Sequence, residues 1–356
     1  IFFPTSSNYA SVEKKYKDNI YYTAAGASTS AIGVNIDRQS YKYTAKKTDA
    51  EKSSTKKALL NKDFRQSINF AIDRTVYQSQ VNGKDGSAKA IRNLFVPSDF
   101  VSAGNKTFGD LVTEKMSSYG DEWSGVNFAD SQDGLYNAEK AKTEFAKAKD
   151  ALQADGVQFP IHLDLPVNQS SKLNVTQAQS LKQTIEKSLG NDNVVIDINQ
   201  LSSDDMQNAT LNAANAAAED WDISNGVVWG PDYQDPSTYL DTLQPSSEDQ
   251  TKVYLGFAGG VDNPSAKAVG LDEFAKLLDD ANNETQDVVK RYEKYAAAQA
   301  WLTDSAIVVP TMSSSGAATV ISKVVPFSGA SAQAGNKGSA YFKYVEVQDE
   351  PVTKKQ

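Results

Sequence analysis

The chain has 356 residues, is 40% hydrophobic and 23% charged, and carries a formal net charge of −9 with a pI near 4.9. That length supports one large or two ordinary globular domains, and the acidity argues against a phosphate-binding surface, so nucleic acid is not an expected partner. With no cysteine and a single histidine, His162, disulfides, thiol catalysis and cysteine-ligated zinc are excluded, no second imidazole exists to share a metal, and no cofactor is expected.

No stretch approaches the ~20 apolar residues of a membrane span. The chain opens on Ile1-Phe2-Phe3-Pro4, with no initiator Met or leader pattern, and reads as a processed product or a fragment. Residues 1–40 read as strand-like, with Ile20-Tyr21-Tyr22-Thr23 and the alternating Ala31–Ile36 as the clearest runs. Residues 42–57 are polar and lysine-rich, including Lys46, Lys47, Lys52, Lys56 and Lys57, and read as a solvated surface loop. A helix is expected from about Asp63, with Phe64, Ile68, Ala71 and Ile72 on one stripe, Asn61 or Asp63 as its cap and Gly83 as its end. Residues 84–136 read as irregular, with a short helix near Gly109–Met116.

From Ala138 to Ala154 a helix is predicted, closed by Asp155-Gly156. Ile161, Leu163 and Leu165 then alternate as a strand ended by Pro166, and His162 on that strand is expected to be structural. Val175 to Leu189 gives a third helix, closed by Gly190, and Val194–Ile198 the next strand. This β-α-β unit implies a parallel pair with a right-handed crossover. Residues 204–218 read as a further helix, and Trp221-Asp222-Ile223 starts a strand that ends at Trp229. On that reading Trp229 lies at the carboxyl edge of an open α/β sheet, where ligands gather. A polar loop is expected over 244–268, then helices at Leu271–Asn282 and Gln286–Thr303, a short strand Ile307–Pro310, and a terminal strand-forming run Tyr341–Val347.

The stretch Trp229-Gly230-Pro231-Asp232-Tyr233-Gln234-Asp235-Pro236-Ser237-Thr238-Tyr239-Leu240 carries the most suggestive chemistry. Gly-Pro stops a strand because proline gives no N–H to the ladder. An aromatic ring beside a carboxylate at a strand end suits an organic amine; equally, Trp and Tyr are common core residues and Asp-Pro commonly marks a turn. No P-loop, G-x-S-x-G or EF-hand loop is present. No nucleophile has an evident base, which argues against hydrolysis, although a peptidase using carboxylates alone stays open.

Three separated segments share a further feature. Asp63-Phe64-Arg65-Gln66-Ser67-Ile68-Asn69-Phe70-Ala71-Ile72-Asp73-Arg74, then Trp229-x-x-Asp232-Tyr233-x-Asp235-Pro236, then Phe274 to Pro310 with Arg291-Tyr292 and Ile307-Val308-Val309-Pro310, resemble in order the motifs of the oligopeptide- and dipeptide-binding proteins of ABC importers, extracellular solute-binding family 5. The lysine-, asparagine- and tyrosine-rich wording is nearest to the streptococcal peptide-binding lipoproteins. The resemblance implies an α/β, periplasmic-binding-protein-like (type II) fold with a mixed or parallel sheet flanked by helices. It implies residues 1–57 as part of lobe I, 58–310 as lobe III, and 311–356 as a return to lobe I, with the rest of lobe I, lobe II and a lipoprotein signal outside this chain. It further implies a non-enzymatic, monomeric binder of oligopeptides that serves ABC importer permease subunits at the outer face of the cell membrane, held there by an N-terminal lipid anchor absent from this chain. A chain lacking half of the cleft wall would bind peptide weakly. By the same resemblance Asp232 takes the peptide's α-ammonium and the backbone near Val228 and Gly230 pairs with the peptide main chain. Trp229 either walls a side-chain pocket or packs under the strand, and Tyr233 shapes the turn more than it meets ligand. Another solute bound on the same fold is the remaining alternative.

Overall fold

The computed structural model describes residues 8–22, 26–313, 318–326, 328 and 345–352. Helix α1 (Tyr9–Tyr16), strand β1 (Ile20–Tyr22) and strand β2 (Thr29–Val34) open the chain, so the expected strand-like start is in part a helix. Residues 42–48 are loop as expected, but helix α2 (Asp49–Leu60) takes the rest of the span expected as surface loop. Its start is a capping box in which Thr48 and Glu51 satisfy each other's backbone N–H groups. Thr-x-x-Glu outweighs the polar composition because it satisfies donors that a nascent helix leaves bare.

Helix α3 (Lys62–Ala71) is capped by Asn61, whose side chain accepts from the Phe64 N–H, and α4 (Arg74–Gly86) follows after a break at Ile72-Asp73. Gly83, at φ 68°, kinks α4 rather than ending α3; a Cβ there would strike the Tyr9 ring. Next come the short hairpin β3 (Ser102–Ala103) and β4 (Lys106–Thr107), helix α5 (Phe108–Met116) and helix α6 (Ala138–Ala154). Strand β5 (Ile161–Asn168), helix α7 (Lys172–Leu189) and strand β6 (Val194–Leu201) form the expected unit, with β5 and β6 parallel and Ile161 opposite Val194. Pro166 does not stop β5, because β5 is an edge strand and its proline needs no ladder donor there. His162 bonds through Nδ1 to Asp197 on β6 at 2.8 Å.

Helix α8 (Ser203–Ala209) is shorter than expected and leads to β7 (Ile223–Trp229). Beyond β7 lie α9 (Ser237–Leu240), α10 (Glu248–Leu255) and α11 (Pro264–Ala268), the last two within the span expected as loop. Asn263 caps α11 and Pro264 fills its first turn. Helices α12 (Leu271–Asn282) and α13 (Val288–Ser305) and strands β8 (Val308–Met312) and β9 (Ala318–Val320) complete the order. Of the expected terminal strand only Val345–Val347 falls among the described residues, and Val347 makes an isolated bridge to Val324. The rest of that run lies outside them.

The three-stranded sheet runs β7-β2-β8, antiparallel throughout. This corrects the expected parallel continuation from β6 to β7. Leaving α8, the chain touches β5 through one backbone bond, from the Asp222 N–H to the Asp164 carbonyl at 3.0 Å. It then takes β2 as its partner, with Thr29 opposite Trp229 and Ala31 opposite Val227. One large apolar core runs under the β5–β6 pair, the β7-β2-β8 sheet and the helices that cover them, and a smaller one gathers Tyr9 and Ile20 with Val320 at the β1–β9 pair.

At the junction of β5 and β7 sits a buried group of charges. Arg38 reaches Asp164 (2.7 Å), Asp222 (2.8 Å) and Asp220 (2.5 Å), and Lys46 reaches Asp164 (2.7 Å) and Asp222. All five side chains are at most 2% exposed, so Lys46 is no part of a solvated lysine face. The Ala45 N–H, the Thr44 hydroxyl and Asn199 also donate to Asp164, and the Tyr43 N–H and the Ser40 hydroxyl to Asp220. Burial alone would raise the Asp164 carboxyl, but Lys46 and Arg38 hold it well below the usual carboxylate range. Replacing Lys46 with Met should cost about 3–5 kcal/mol of unfolding free energy at neutral pH, because it strands buried carboxylates. The depressed Asp164 gives stability that is present above its unfolded value near 4 and lost as pH falls below it, so K46M should also flatten the acid limb of a urea-denaturation series; an unchanged limb would remove Asp164 as its source. Glu219 behaves oppositely. Burial pushes it up to about 8 although the Trp221 indole donates to it. Its contribution is present below about pH 4 and lost as pH rises toward 8, so Glu219→Gln should gain on the wild type steadily between pH 4 and 8 in the same assay.

Candidate functional site

Strand β7 is the edge of its sheet, and among the described residues no strand pairs with its second side. An edge strand presents unpaired N–H and C=O groups that invite another extended chain. Along β7 burial alternates at the end: Val227 is buried, Val228 is 49% exposed and Trp229 is half-buried. Opposite the edge, Tyr254 of α10 is buried and its hydroxyl donates to the Val228 carbonyl at 2.9 Å.

The five residues singled out in the sequence lie together, but with different surroundings. Trp229 packs against the main core, and its indole N–H donates to the Thr238 carbonyl at 2.5 Å. Gly230 is half-buried and Pro231 buried. Asp232 is exposed; its N–H donates to the Thr238 hydroxyl at 3.0 Å, and its carboxylate has no hydrogen-bond or ion-pair partner among the described residues. Tyr233 is 52% exposed and its hydroxyl accepts from Ser237 at 3.2 Å.

Asp235 shapes the turn. It accepts from the Ser237 N–H at 3.0 Å at the start of α9 and pairs with Arg291 of α13, Nε to Oδ2 at 2.8 Å and Nη2 to Oδ1 at 3.1 Å. Burial opposes its ionisation, but the bonds from Arg291 and Ser237 prevail and hold it below the usual carboxylate range. Thr238 lies within the stretch singled out in the sequence and Arg291 within a quoted motif, but sequence reasoning gave neither of them, nor Tyr254, a role in this site. Arg291 carried a signal, since it is one of only five arginines among 36 basic residues. Thr238 and Tyr254 carried none, because their partners are backbone atoms. An unpaired carboxylate one short turn beyond an edge strand is suited to meet a cation carried on an extended chain.

The profile of bacterial extracellular solute-binding proteins, family 5 Middle, matches residues 1–251. The chain belongs to this family. It is 64% identical over 355 residues to oligopeptide-binding protein AmiA of Streptococcus pneumoniae, covering 99% of this chain and 54% of that protein. It is 59% identical over 355 residues to oligopeptide-binding protein SarA of Streptococcus gordonii, covering 99% and 53%. The chain thus spans about half the length of the relatives it matches. Among solved structures, the Listeria monocytogenes OppA bound to peptide superposes with a TM-score of 0.62 at 19% identity, covering 98% of this chain and 53% of that one. The substrate-binding domain of an oligopeptide ABC transporter from Bacillus anthracis gives 0.63 at 19%, covering 98% and 54%. These two likenesses establish the fold, a mixed α/β periplasmic-binding-protein type.

Tyr254→Phe should lower stability by about 1 kcal/mol by removing the bond to the Val228 carbonyl. Urea denaturation measures the loss, and faster amide exchange confined to the end of β7 locates it.

Proposed function

We propose that this chain is the ligand-anchoring part of an extracellular protein that captures oligopeptides and passes them to the permease subunits of an ABC importer. The observation that carries the reading is the Asp232 carboxylate, without a partner among the described residues and just past the β7 edge that none of the described strands pairs, in a chain whose family relatives bear oligopeptide-binding names. The peptide main chain adds along β7, bonding backbone groups at Val228 and Gly230, which gives affinity without reading side chains. The Val228 carbonyl already accepts from Tyr254, so it offers only its remaining lone pair. Asp232 takes the α-ammonium in a charge-assisted bond. Trp229, packed on the core with its indole N–H on the Thr238 carbonyl, supports the strand end from beneath, and Tyr233 shapes the turn beside Asp232. The protein binds and does not cleave, works as a monomer, and is tethered outside the cell by a lipid anchor.

We also propose the lobe division, with its first boundary moved. The pairing of β2 with β7 and β8, which ends at Met312, supports counting residues from about 26 to about 312 as lobe III, with the flanking segments in lobe I. In the full-length protein, Asp232→Asn should weaken binding of a free-amine peptide at least about tenfold while leaving its N-acetyl analogue unaffected. Isothermal titration that finds equal affinities in mutant and wild type would remove Asp232 from the site.

A further inference from the structure

Two sets of contacts hold the stretch after β7, and they meet at Thr238. This side chain is 5% exposed. Its hydroxyl accepts the Asp232 N–H at 3.0 Å, and its carbonyl accepts the Trp229 indole N–H at 2.5 Å. One buried residue therefore grips the backbone of the proposed anchor and the ring at the end of the edge strand. Thr238 is itself placed from below. Its N–H donates to the Asp235 carbonyl at 3.1 Å, and the Asp235 carboxylate is locked by the Arg291 fork. Arg291 also donates to the Ala281 carbonyl at 3.1 Å and the Tyr295 hydroxyl at 3.0 Å. A planar guanidinium with several fixed bonds has one orientation.

We propose that Thr238 is the positioning residue of the ammonium anchor, braced through Asp235 by Arg291. The proposal rests on the role assigned to Asp232. With the Asp232 N–H pinned, its carboxylate searches only its own side-chain torsions, and no other described side chain orients it. Part of the ordering that ligand binding would otherwise require is then already present in the free protein. Thr238→Val removes the acceptor and keeps the shape, whereas Thr238→Ser keeps the acceptor.

The readout is the ratio of affinities for a free-amine peptide and its N-acetyl analogue, measured by isothermal titration on the full-length protein. A merely structural role would weaken both peptides alike and leave this ratio fixed. Thr238→Val should reduce the ratio about three- to tenfold with the acetylated peptide unchanged, the size expected for losing one neutral hydrogen bond behind a charged one. Thr238→Ser should retain the wild-type ratio. Arg291→Lys, which leaves Thr238 intact, should reduce the ratio in the same direction and serves if the valine variant does not fold. A wild-type ratio in both Thr238→Val and Arg291→Lys, alongside a collapsed ratio in Asp232→Asn, overturns the positioning role while leaving the anchor standing. A wild type that does not distinguish the two peptides overturns the anchor, and the positioning role with it.

Discussion

The buried charges around Arg38 decide how the two sheets meet. Two cations and three carboxylates out of water are tolerable only if nearly every polar atom has a partner, and here loop 38–46 supplies those partners as backbone N–H groups and hydroxyls. Asp164 comes from the middle of β5, and Asp220 and Asp222 from the approach to β7. Holding them on one guanidinium pins the start of β7 against β5. It also draws in the loop that follows β2, so β2 is at hand to become the partner of β7. The antiparallel sheet and the free outer edge of β7 both follow from that closure.

What β7 does with its edge depends on how firmly its end is fixed. A loose strand end would fray, and any extended chain added to the edge would have to order it first. Here the end is tied to elements far along the chain: the Tyr254 hydroxyl holds Val228, Thr238 holds Trp229 and Asp232, and Arg291 holds the turn below. Rigidity is built beneath the exposed groups, while the exposed Asp232 carboxylate has no protein partner among the described residues. That asymmetry, a fixed backbone under an exposed carboxylate, is what the proposed role of Asp232 requires.

Much of this was legible in the sequence, and the pattern of failure is physical. Helices α6, α7 and α12 could be read because an apolar stripe, an asparagine, serine or glycine at the start and a glycine or asparagine at the end all agree locally. The β5–β6 pair could be read because a helical crossover of that length forces parallel strands. The partner of β7 could not, since β2 lies almost two hundred residues away and nothing in the period of either strand names the other. Asp232 was reached only through the resemblance; its own neighbours read equally well as a turn. Lys46 was misread for a related reason: its lysine-rich surroundings describe a solvated face, and only the three distant aspartates make it a buried cation.

The arginines suggest a general way to read such a chain. Four of the five are at most 3% exposed, and each joins segments that composition would leave separate. Arg38 links the loop after β2 to β5 and β7. Arg65 satisfies the Ser305 and Leu59 carbonyls, joining α3 to the end of α13. Arg74 caps the Pro310 carbonyl of β8, and Arg92 ties Gly26 to Asp130. Arg291, the least buried, joins the ends of α12 and α13 to the turn that carries Asp232. Lysine, a hydrated point charge on a mobile stem, serves poorly at such junctions, whereas a rigid fork with five donors can satisfy carbonyls and carboxylates from several segments at once. In a chain whose basic residues are overwhelmingly lysine, an arginine is therefore a marker of long-range closure. The motif around residues 63–74 then has a physical reading: its two arginines are there to close α3 and α4 onto the C-terminal helix and strand, which in turn support the turn beyond β7.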